Sequence, residues 1–290
     1  MSEQVCKADM GGDGAAVVDT YGYPVETTGN AVLDILEHRS STRAFARDDD
    51  DRPVAVTDEQ RAAILHAASR APSAGAMMMY SIVSIREQAT LDRLADLCDH
   101  QPMIAKAPWA LIFVVDYAKW IDLFEHVGCF EPEFVERTGK APRRAPGLGD
   151  FAIAAQDAVI AAQNAVVAAE ALGLGSCYIG DIVENAEEVA ELLELPPYTM
   201  PLSMLIIGTP RKERPAIAHP VVNLVHEEHY RRADAATMDA QVVEMDAMFR
   251  PHAREVGERV VDIYTRKHTS PFMAEMSRSM EWWFKNWLGK

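Results

Sequence analysis

The longest apolar stretch of the chain runs over residues 151–172 without a glycine or a proline. Ten of its 22 residues are alanine, the strongest helix former, so the pattern predicts a helix about 33 Å long. Apolar side chains surround most of this helix, as in a buried core helix or a membrane span. Gln156, Asp157, Gln163 and Asn164 repeat at a spacing of seven and form a polar stripe, which argues against lipid. We predict a core helix that also packs against its symmetry mate.

Shorter patterns lie on either side of this helix. Helical periodicity and cap residues such as Thr57 predict further helices at 30–38, 58–70, 88–99, 184–195, 233–249 and 252–288. Apolar runs predict strands at 81–85, 109–116 and 200–208. The run at 109–116 is continuously apolar, which is typical of a central strand covered on both faces.

Three regions do not fit a simple helix or strand pattern. Residues 1–28 contain Gly11, Gly12 and Gly14 and are predicted to form a flexible arm. The aromatic-rich residues 117–149 are interpreted either as a lid or as a packed helical excursion. The tail from about residue 233 carries three tryptophans near its end, Trp282, Trp283 and Trp287. Since so much apolar surface does not stay in water, we expect the tail to dock across the partner subunit of a dimer.

Charge and cysteine usage restrict the class of protein. The formal net charge of −16 and the pI near 5.0 argue against nucleic acid or an anionic membrane as a partner. The four cysteines (Cys6, Cys98, Cys129 and Cys177) show no metal-ligand spacing and fit a reduced protein. Residues 1–30 lack the apolar core of a signal peptide, so we expect a cytoplasmic protein. The acidic run 48–51 is interpreted as a solvated loop rather than a metal site, and we predict no metal centre.

The first predicted helix ends at a candidate anion site. Residues 39–43, Arg-Ser-Ser-Thr-Arg, place two guanidinium groups beside three hydroxyls, and arginine binds phosphate bidentately. A surface turn of the same composition is the alternative. An anionic cofactor on so acidic a chain needs a local basic cluster of this kind.

Two further stretches suit a flat ligand. In residues 71–76, Pro72 ends a helix and Gly75 with its small neighbours lets backbone amides approach a ligand. Residues 77–79 are three methionines, either core filler or the wall of a planar ligand. Residues 172–181 form a glycine-punctuated turn in which Cys177 is interpreted as a buried structural thiol.

Taken together, these motifs resemble the nitroreductase family of flavin enzymes. The resemblance rests on residues 39–45, 71–75, 163–164, 169–176 and 208–210, and it covers about 29–215. It implies an α+β fold with a mixed sheet flanked by helices, in an intertwined homodimer. FMN would bind at two sites shared between the subunits. Residues 216–290 would then be a C-terminal helical extension that packs on the dimer.

The resemblance also implies roles for individual residues. Arg39, Ser40, Ser41 and Arg43 would hold the FMN phosphate, with Arg211 the nearest basic residue after the last strand. Ile179, Gly180 and Asp181 would lie beside the isoalloxazine edge. The other subunit would supply the loop formed by Pro72, Ser73, Ala74, Gly75, Ala76, Met77 and Met78. The family usually has asparagine at position 76 and often glutamine at position 78, whereas this chain has Ala76 and Met78.

The activity implied is hydride transfer from NADH or NADPH through flavin N5 to a small organic acceptor such as a nitro compound or a quinone. The protein would position and tune the cofactor, so no catalytic residue is assigned. Two alternatives remain open at this point. One is a flavin-binding or flavin-sensing protein with little turnover, and the other is a dimeric interaction module that has lost the cofactor.

Overall fold

The computed structural model describes residues 29–140, 143–212 and 223–289. The predicted arm 1–28 and the predicted boundary at residue 215 lie outside the described residues. The helices are α1 (Ala31–His38), α2 (Asp58–Ser69), α3 (Gln88–Leu97), α4 (Pro102–Ala105), α5 (Ala118–His126), α6 (Pro132–Thr138), α7 (Leu148–Ala171), α8 (Ala186–Leu192), α9 (Ala235–Phe249), α10 (Glu258–Ile263) and α11 (Pro271–Trp287). The strands are β1 (Tyr80–Ile85), β2 (Trp109–Asp116), β3 (Gly175–Ile179) and β4 (Thr199–Gly208).

The first two helices begin where their cap residues predict. The Asn30 side chain accepts hydrogen bonds from the amides of Val32 and Leu33, at 3.0 and 3.3 Å. Thr57 and Gln60 form a reciprocal capping box at the start of α2. Each cap satisfies amides that the helix itself leaves unpaired, so the local sequence fixes where these helices start.

The sheet has the strand order β1-β2-β4-β3, and all three strand pairs are antiparallel. The parallel pairing within the described residues is a single bridge between Ser41 and Ser176, outside the β3 edge. This bridge covers part of an edge that would otherwise expose unpaired backbone groups. The α+β class is therefore confirmed, and the mixed character of the sheet comes from the bridge alone.

Strand β2 divides the core in two. All eight of its residues are buried, as its continuous apolar run predicts. Side chains alternate between the faces of a strand. Leu111 and Phe113 accordingly join the core formed with α2 and α7, whereas Ile112 and Val114 join the core formed with α3, α4, α8 and α11. Helices thus cover both faces of the sheet.

Helix α7 is the core helix of the fold. By length and composition it is the one helix in the described ranges that is apolar enough to cross a membrane. It packs against α2 and the sheet, and two residues of its polar stripe make hydrogen bonds inside the protein. Asp157 accepts two backbone amides, and Asn164 Nδ2 donates to the carbonyl of Ala67 at 3.0 Å.

Two predicted elements are wrong in form. Residues 175–179, which the sequence predicts as part of a turn, form strand β3. The single helix predicted over 252–288 is divided into α10, a π-helical turn Tyr264–His268 and α11. Proline lacks the amide that continues a helix but suits its first turn, so Pro271 opens a new helix.

The described part of the excursion over 117–149 contains α5 and α6, and its aromatic side chains are packed. Trp120 Nε1 on α5 donates to the carbonyl of Met77 at 2.9 Å. The Phe124 ring contacts Trp120 and Phe130, with centroid separations of 5.6 and 6.3 Å. Of the two interpretations, the structure shows the packed helical excursion.

Helix α11 docks on its own chain. Trp283 and Trp287 are fully buried, and their indole nitrogens donate to the carbonyls of Val183 and Gly147 at 2.9 and 3.1 Å. Both indoles therefore lose their contact with water without a second subunit. The expectation that the tryptophans of α11 need a partner subunit for their burial is wrong for Trp283 and Trp287. Packing of the extension on a dimer stays a prediction for α9 and α10.

Candidate cofactor-binding site

The predicted anion cluster follows α1 and runs beside β3. Arg39 is the C-cap residue of α1, and its amide donates to Ile35 O at 3.0 Å. The chain then pairs with β3, because the Thr42 amide donates to Ser176 O at 2.8 Å. Ser40 and Ser41 are half-buried between the two arginines, and Arg43 is exposed. The structure therefore holds residues 39–43 in one defined position against the sheet.

Strand β4 brings the third arginine to the same place. Phe45 pairs antiparallel with Pro210, and the Arg211 amide donates to Ala44 O at 3.0 Å. This pairing places Arg211, which is exposed, beside the segment that carries Arg43. The predicted residues Arg39, Ser40, Ser41, Arg43 and Arg211 are thus brought together at one edge of the sheet.

Close approach at this edge requires a glycine at position 175. A Cβ atom at Gly175 would collide with the Thr42 side chain and would lie 3.0 Å from Cγ of Pro210. Any larger residue at position 175 would push apart the segments that carry Arg43 and Arg211. Glycine is needed here for close approach.

Polar atoms without a partner mark the inner wall of this cluster. Arg39 Nε, Ser176 Oγ and Glu170 Oε1 are buried and make no hydrogen bond within the described structure. Buried polar groups are nearly always paired, so unpaired ones need an explanation. A phosphate accepts hydrogen bonds from guanidinium and hydroxyl groups, and a protonated carboxyl can donate one. This donor set fits the phosphate of FMN.

The same wall perturbs two titratable groups. Burial raises the pKa of Glu170 to about 7, although the nearby Arg39 guanidinium acts in the opposite direction. Burial also raises the pKa of Tyr178 to about 12, again against the effect of Arg39. Tyr178 Oη donates to Gln163 Oε1 at 3.4 Å, which ties the wall to α7. The Glu170 carboxyl is therefore partly protonated near neutral pH.

The loop between α2 and β1, residues 72–79 (the 72–79 loop), is the second predicted part of the site. Three of its residues, Gly75, Ala76 and Met78, have positive φ angles of 58°, 56° and 47°. Pro72, Ala74 and Ala76 are exposed, Ser73 is half-buried, and Met78 is 46% exposed.

Backbone amides of the 72–79 loop are largely used within the chain. Those of Ala74 and Met79 donate to Asp157, and that of Met78 donates to Ser73 Oγ at 3.1 Å. Those of Ala76 and Met77 donate to carbonyls of the same loop. These five amides already have acceptors within the chain, so they are not the amides that would approach a flat ligand. Gly75, on which the sequence-based expectation centred, is exposed.

Strand β3 ends at the third predicted part. The Ile179 side chain is buried in the core with α3 and α8, so this residue offers a ligand only its backbone. Gly180 is exposed, and Asp181 accepts a hydrogen bond from Gln101 Nε2. The neighbouring carboxyl of Glu184 is only 4% exposed, and burial raises its pKa to about 7.

One subunit does not bring all three parts together. The basic cluster lies at Glu170 of α7, and the 72–79 loop lies at Asp157. These positions are separated by about 20 Å along the helix, at 1.5 Å per residue. The distance agrees with the expectation that the loop serves the flavin of the other subunit.

Sequence reasoning did not assign Asp157, Glu170, Tyr178 or Gln101 to the site. Asp157 and Glu170 carried the one available signal, since each is a carboxyl in an otherwise alanine-rich buried helix. Tyr178 and Gln101 lay in segments whose structure depends on distant pairing, and the sequence held no signal for them.

An antiparallel sheet between two helical layers, with a basic cluster beside an edge strand, defines an α+β protein that binds a phosphate-bearing cofactor. The nitroreductase family model matches residues 36–209, and the chain belongs to this family. A relative named FMN reductase [NAD(P)H], from Bacillus subtilis strain 168, is 32% identical over 215 residues. That match covers 73% of this chain and 79% of the relative.

Two further proteins are similar along most of their length. The oxygen-insensitive NADPH nitroreductase of Salmonella typhimurium strain LT2 is 32% identical over 218 residues, which are 73% of this chain and 81% of the relative. The structure titled NADPH:FMN oxidoreductase from Vibrio harveyi complexed with NAD+ superimposes with a TM-score of 0.66 at 25% identity. It covers 86% of this chain and 97% of that chain.

Proposed function

We propose that this protein is an FMN-dependent oxidoreductase that takes electrons from NADH or NADPH. The acceptor would be a small organic electrophile such as a nitro compound or a quinone. Two of the relatives described above are named FMN reductase and NADPH nitroreductase. The family model covers residues 36–209, which include Arg39 and Arg43. When bound, FMN supplies the hydride chemistry at its N5 atom.

The observation that carries the proposal is the unpaired Arg39 Nε inside the cluster. A buried guanidinium donor without a partner is costly, and a phosphate would satisfy it. Arg43 and Arg211 would add two further positive charges, which the dianion needs on a protein of net charge −16. Ser40 and Ser41 would donate hydroxyl hydrogen bonds to the remaining oxygens.

The other predicted residues would position the ring. Gly180 and the Ile179 backbone would lie along its edge, with Asp181 held in place by Gln101. The 72–79 loop, with Pro72, Ser73, Ala74, Ala76 and Met78, would cover the ring of the partner subunit's flavin. No residue is assigned a proton-transfer step, because positioning alone suffices for hydride transfer between cofactors.

Members of this family are typically homodimers that act on small molecules, and the exposed apolar surface supports a dimer here. Val32, Leu33 and Leu36 are exposed on α1, and α7 exposes Val159 and Ile160. The two helices contact each other, and we treat these exposed side chains as one patch. We infer that this patch is the dimer interface, as isologous interfaces bury such surface.

The extension would add to that interface through α9, α10 and the π-helical turn that follows α10. Val243, Val261 and Tyr264 are all more than half exposed, at 57%, 61% and 57%. Val261→Glu and Tyr264→Glu should shift sedimentation toward the monomer. An unchanged dimer in both variants would show that the extension packs on its own chain alone.

The reduced thiols and the acidic charge support a cytoplasmic location and no membrane partner.

A visible spectrum of the purified protein tests the function. We expect a yellow protein with flavin absorption, and about one FMN per chain released on denaturation. Anaerobic addition of NADH or NADPH should bleach the flavin band, and a quinone should restore it. A protein that binds FMN but is not bleached would be a flavin sensor. A colourless protein that does not bind added FMN would contradict the proposal and indicate an interaction module.

A further inference from the structure

One buried carboxylate holds both ends of the 72–79 loop. Asp157 Oδ1 accepts the Ala74 amide at 2.9 Å, and Oδ2 accepts the Met79 amide at 3.3 Å. Asp157 is 2% exposed. We infer that Asp157 is a positioning residue that fixes the loop for the flavin of the partner subunit. This inference rests on the proposed function.

The backbone of the loop requires such support. Ala76 and Met78 have positive φ angles of 56° and 47°, a region that residues with a side chain adopt at a cost in energy. Strained residues of this kind persist where the surroundings determine the conformation, and they concentrate at ligand sites. Here Asp157 fixes the loop conformation at Ala74 and Met79, and Ser73 Oγ fixes it at Met78.

Helix α5 closes the other side of the loop. Trp120 Nε1 donates to Met77 O at 2.9 Å, and Lys119 Nζ donates to Tyr80 O at 2.5 Å. Burial lowers the pKa of Lys119, whereas the charges of Asp116 and Asp157 favour its protonated form. A positive charge therefore partly balances the buried Asp157 carboxylate. The loop therefore lies between Asp157 of α7 and the Lys119 and Trp120 side chains of α5.

The chemistry of the two hydrogen bonds distinguishes positioning from packing. In Asp157→Asn the shape is kept, but one of the two acceptor oxygens is replaced by an NH₂ group, which only donates. Its NH₂ group would then face one of the two loop amides, donor against donor, and release that end. A side chain that only fills space would tolerate this change.

Asn164 supplies a matched control on the same helix face. It lies seven residues further along α7, is partly buried and donates to the Ala67 carbonyl of α2. Asn164→Ala therefore removes a hydrogen bond between α7 and α2 without touching the loop. Comparable losses of thermal stability in the two variants would allow their flavin properties to be compared directly.

The experiment measures flavin and loop in the full-length wild type, Asp157→Asn and Asn164→Ala. We expect Asp157→Asn to weaken FMN binding at least fivefold in a fluorescence titration and to alter the visible circular dichroism of bound flavin. Asn164→Ala should stay within twofold, with the wild-type dichroism. Hydrogen exchange in the apo-protein should be faster in Asp157→Asn for the peptide spanning 72–80.

The outcomes separate the two proposals. A wild type that binds no FMN overturns the proposed function and this inference together. A wild type that binds FMN, with both variants equal to it or equally impaired, overturns the inference alone. If Asp157→Asn does not fold, Ser73→Ala replaces it, since this change removes only the hydrogen bond to the Met78 amide. It should alter the flavin dichroism in the same direction, and an unaltered spectrum overturns the inference.

Discussion

Two parts of the candidate site, the basic cluster and the 72–79 loop, differ in how their polar groups are satisfied. In the basic cluster (Arg39, Arg43 and Arg211), a buried guanidinium nitrogen has no partner within the described structure. In the 72–79 loop, five backbone amides already have partners in the same chain. The cluster therefore keeps a donor available, as the proposed phosphate site requires, whereas the loop uses its amides to hold its own shape.

The difference has an electrostatic origin. A phosphate dianion gains little from a rigid neutral surface and much from charged donors, so its site keeps donors free. A flat neutral ring gains from apolar contact over a surface already in place, because pre-ordering lowers the cost of binding. The cluster should accordingly be sensitive to loss of charge, and the loop to loss of its supports.

Arg39→Ala is the change with the largest expected effect on the cluster. It removes a charge-assisted hydrogen bond worth about 1.5–3 kcal/mol and should weaken FMN binding about 10- to 100-fold. Titration of apo-protein with FMN measures this. Arg52→Ala is the matched control, because it removes the same charge from an exposed arginine paired with Asp48 and Asp50. Equal affinity in Arg39→Ala and wild type would place the phosphate elsewhere.

The basic cluster and the strands also differ in how much of them could be predicted from the sequence. Residues 39–43 could be proposed as a phosphate site from sequence because their chemistry lies in five consecutive residues. The buried strand β2 could be predicted because its apolar run is continuous. Strand β3 could not, because Gly175 and Ser176 give no strand signal and the strand forms by pairing with β4 and Ser41.

Long-range hydrogen bonds account for much of the remainder. The alanine-rich pattern places Asp157 in a polar stripe, but its partner Ala74 lies 83 residues earlier in the chain. Helical periodicity predicts which residues share a face of a helix, but it does not predict which residues that face contacts. The left-handed backbone at Ala76 and Met78 could not be predicted either, because neither residue type favours that conformation.

Glu170→Gln tests whether the cluster responds to charge from within. The folded-state pKa of Glu170 is raised from 4.5 to about 7 by burial, so the carboxyl ionises as the pH rises through 7. The new charge opposes a phosphate dianion and competes for Arg39. We expect wild-type FMN affinity to fall about fivefold relative to Glu170→Gln between pH 6 and 8, for a charge interaction of about 1 kcal/mol.

The ratio of the FMN affinities of the two proteins isolates this effect, because ionisation of the FMN phosphate near pH 6 is common to both.

The free energy of unfolding of the apo-protein offers a second measurement. Folded Glu170 binds its proton more tightly than the unfolded chain does, so the free energy of unfolding should fall as the pH rises from 4.5 to about 7. Glu170→Gln should lose that part of the slope, and Glu188→Gln, an exposed carboxyl on α8, should keep it. If the FMN affinities of wild type and Glu170→Gln depend on pH in the same way, the Glu170 carboxyl is not coupled to the phosphate site.

Ala76→Asn has the smallest expected effect and tests whether the 72–79 loop holds its shape without cofactor. Asparagine tolerates a φ of 56° better than alanine does, so the variant should gain about 0.5 kcal/mol in the free energy of unfolding of the apo-protein. An asparagine amide beside the ring should also shift the flavin reduction potential in the holoenzyme. Ala74→Asn is the control, because Ala74 does not have a positive φ and its amide is already bonded to Asp157. If Ala76→Asn changes neither unfolding nor potential, the loop is not left-handed in solution and residue 76 does not face the flavin.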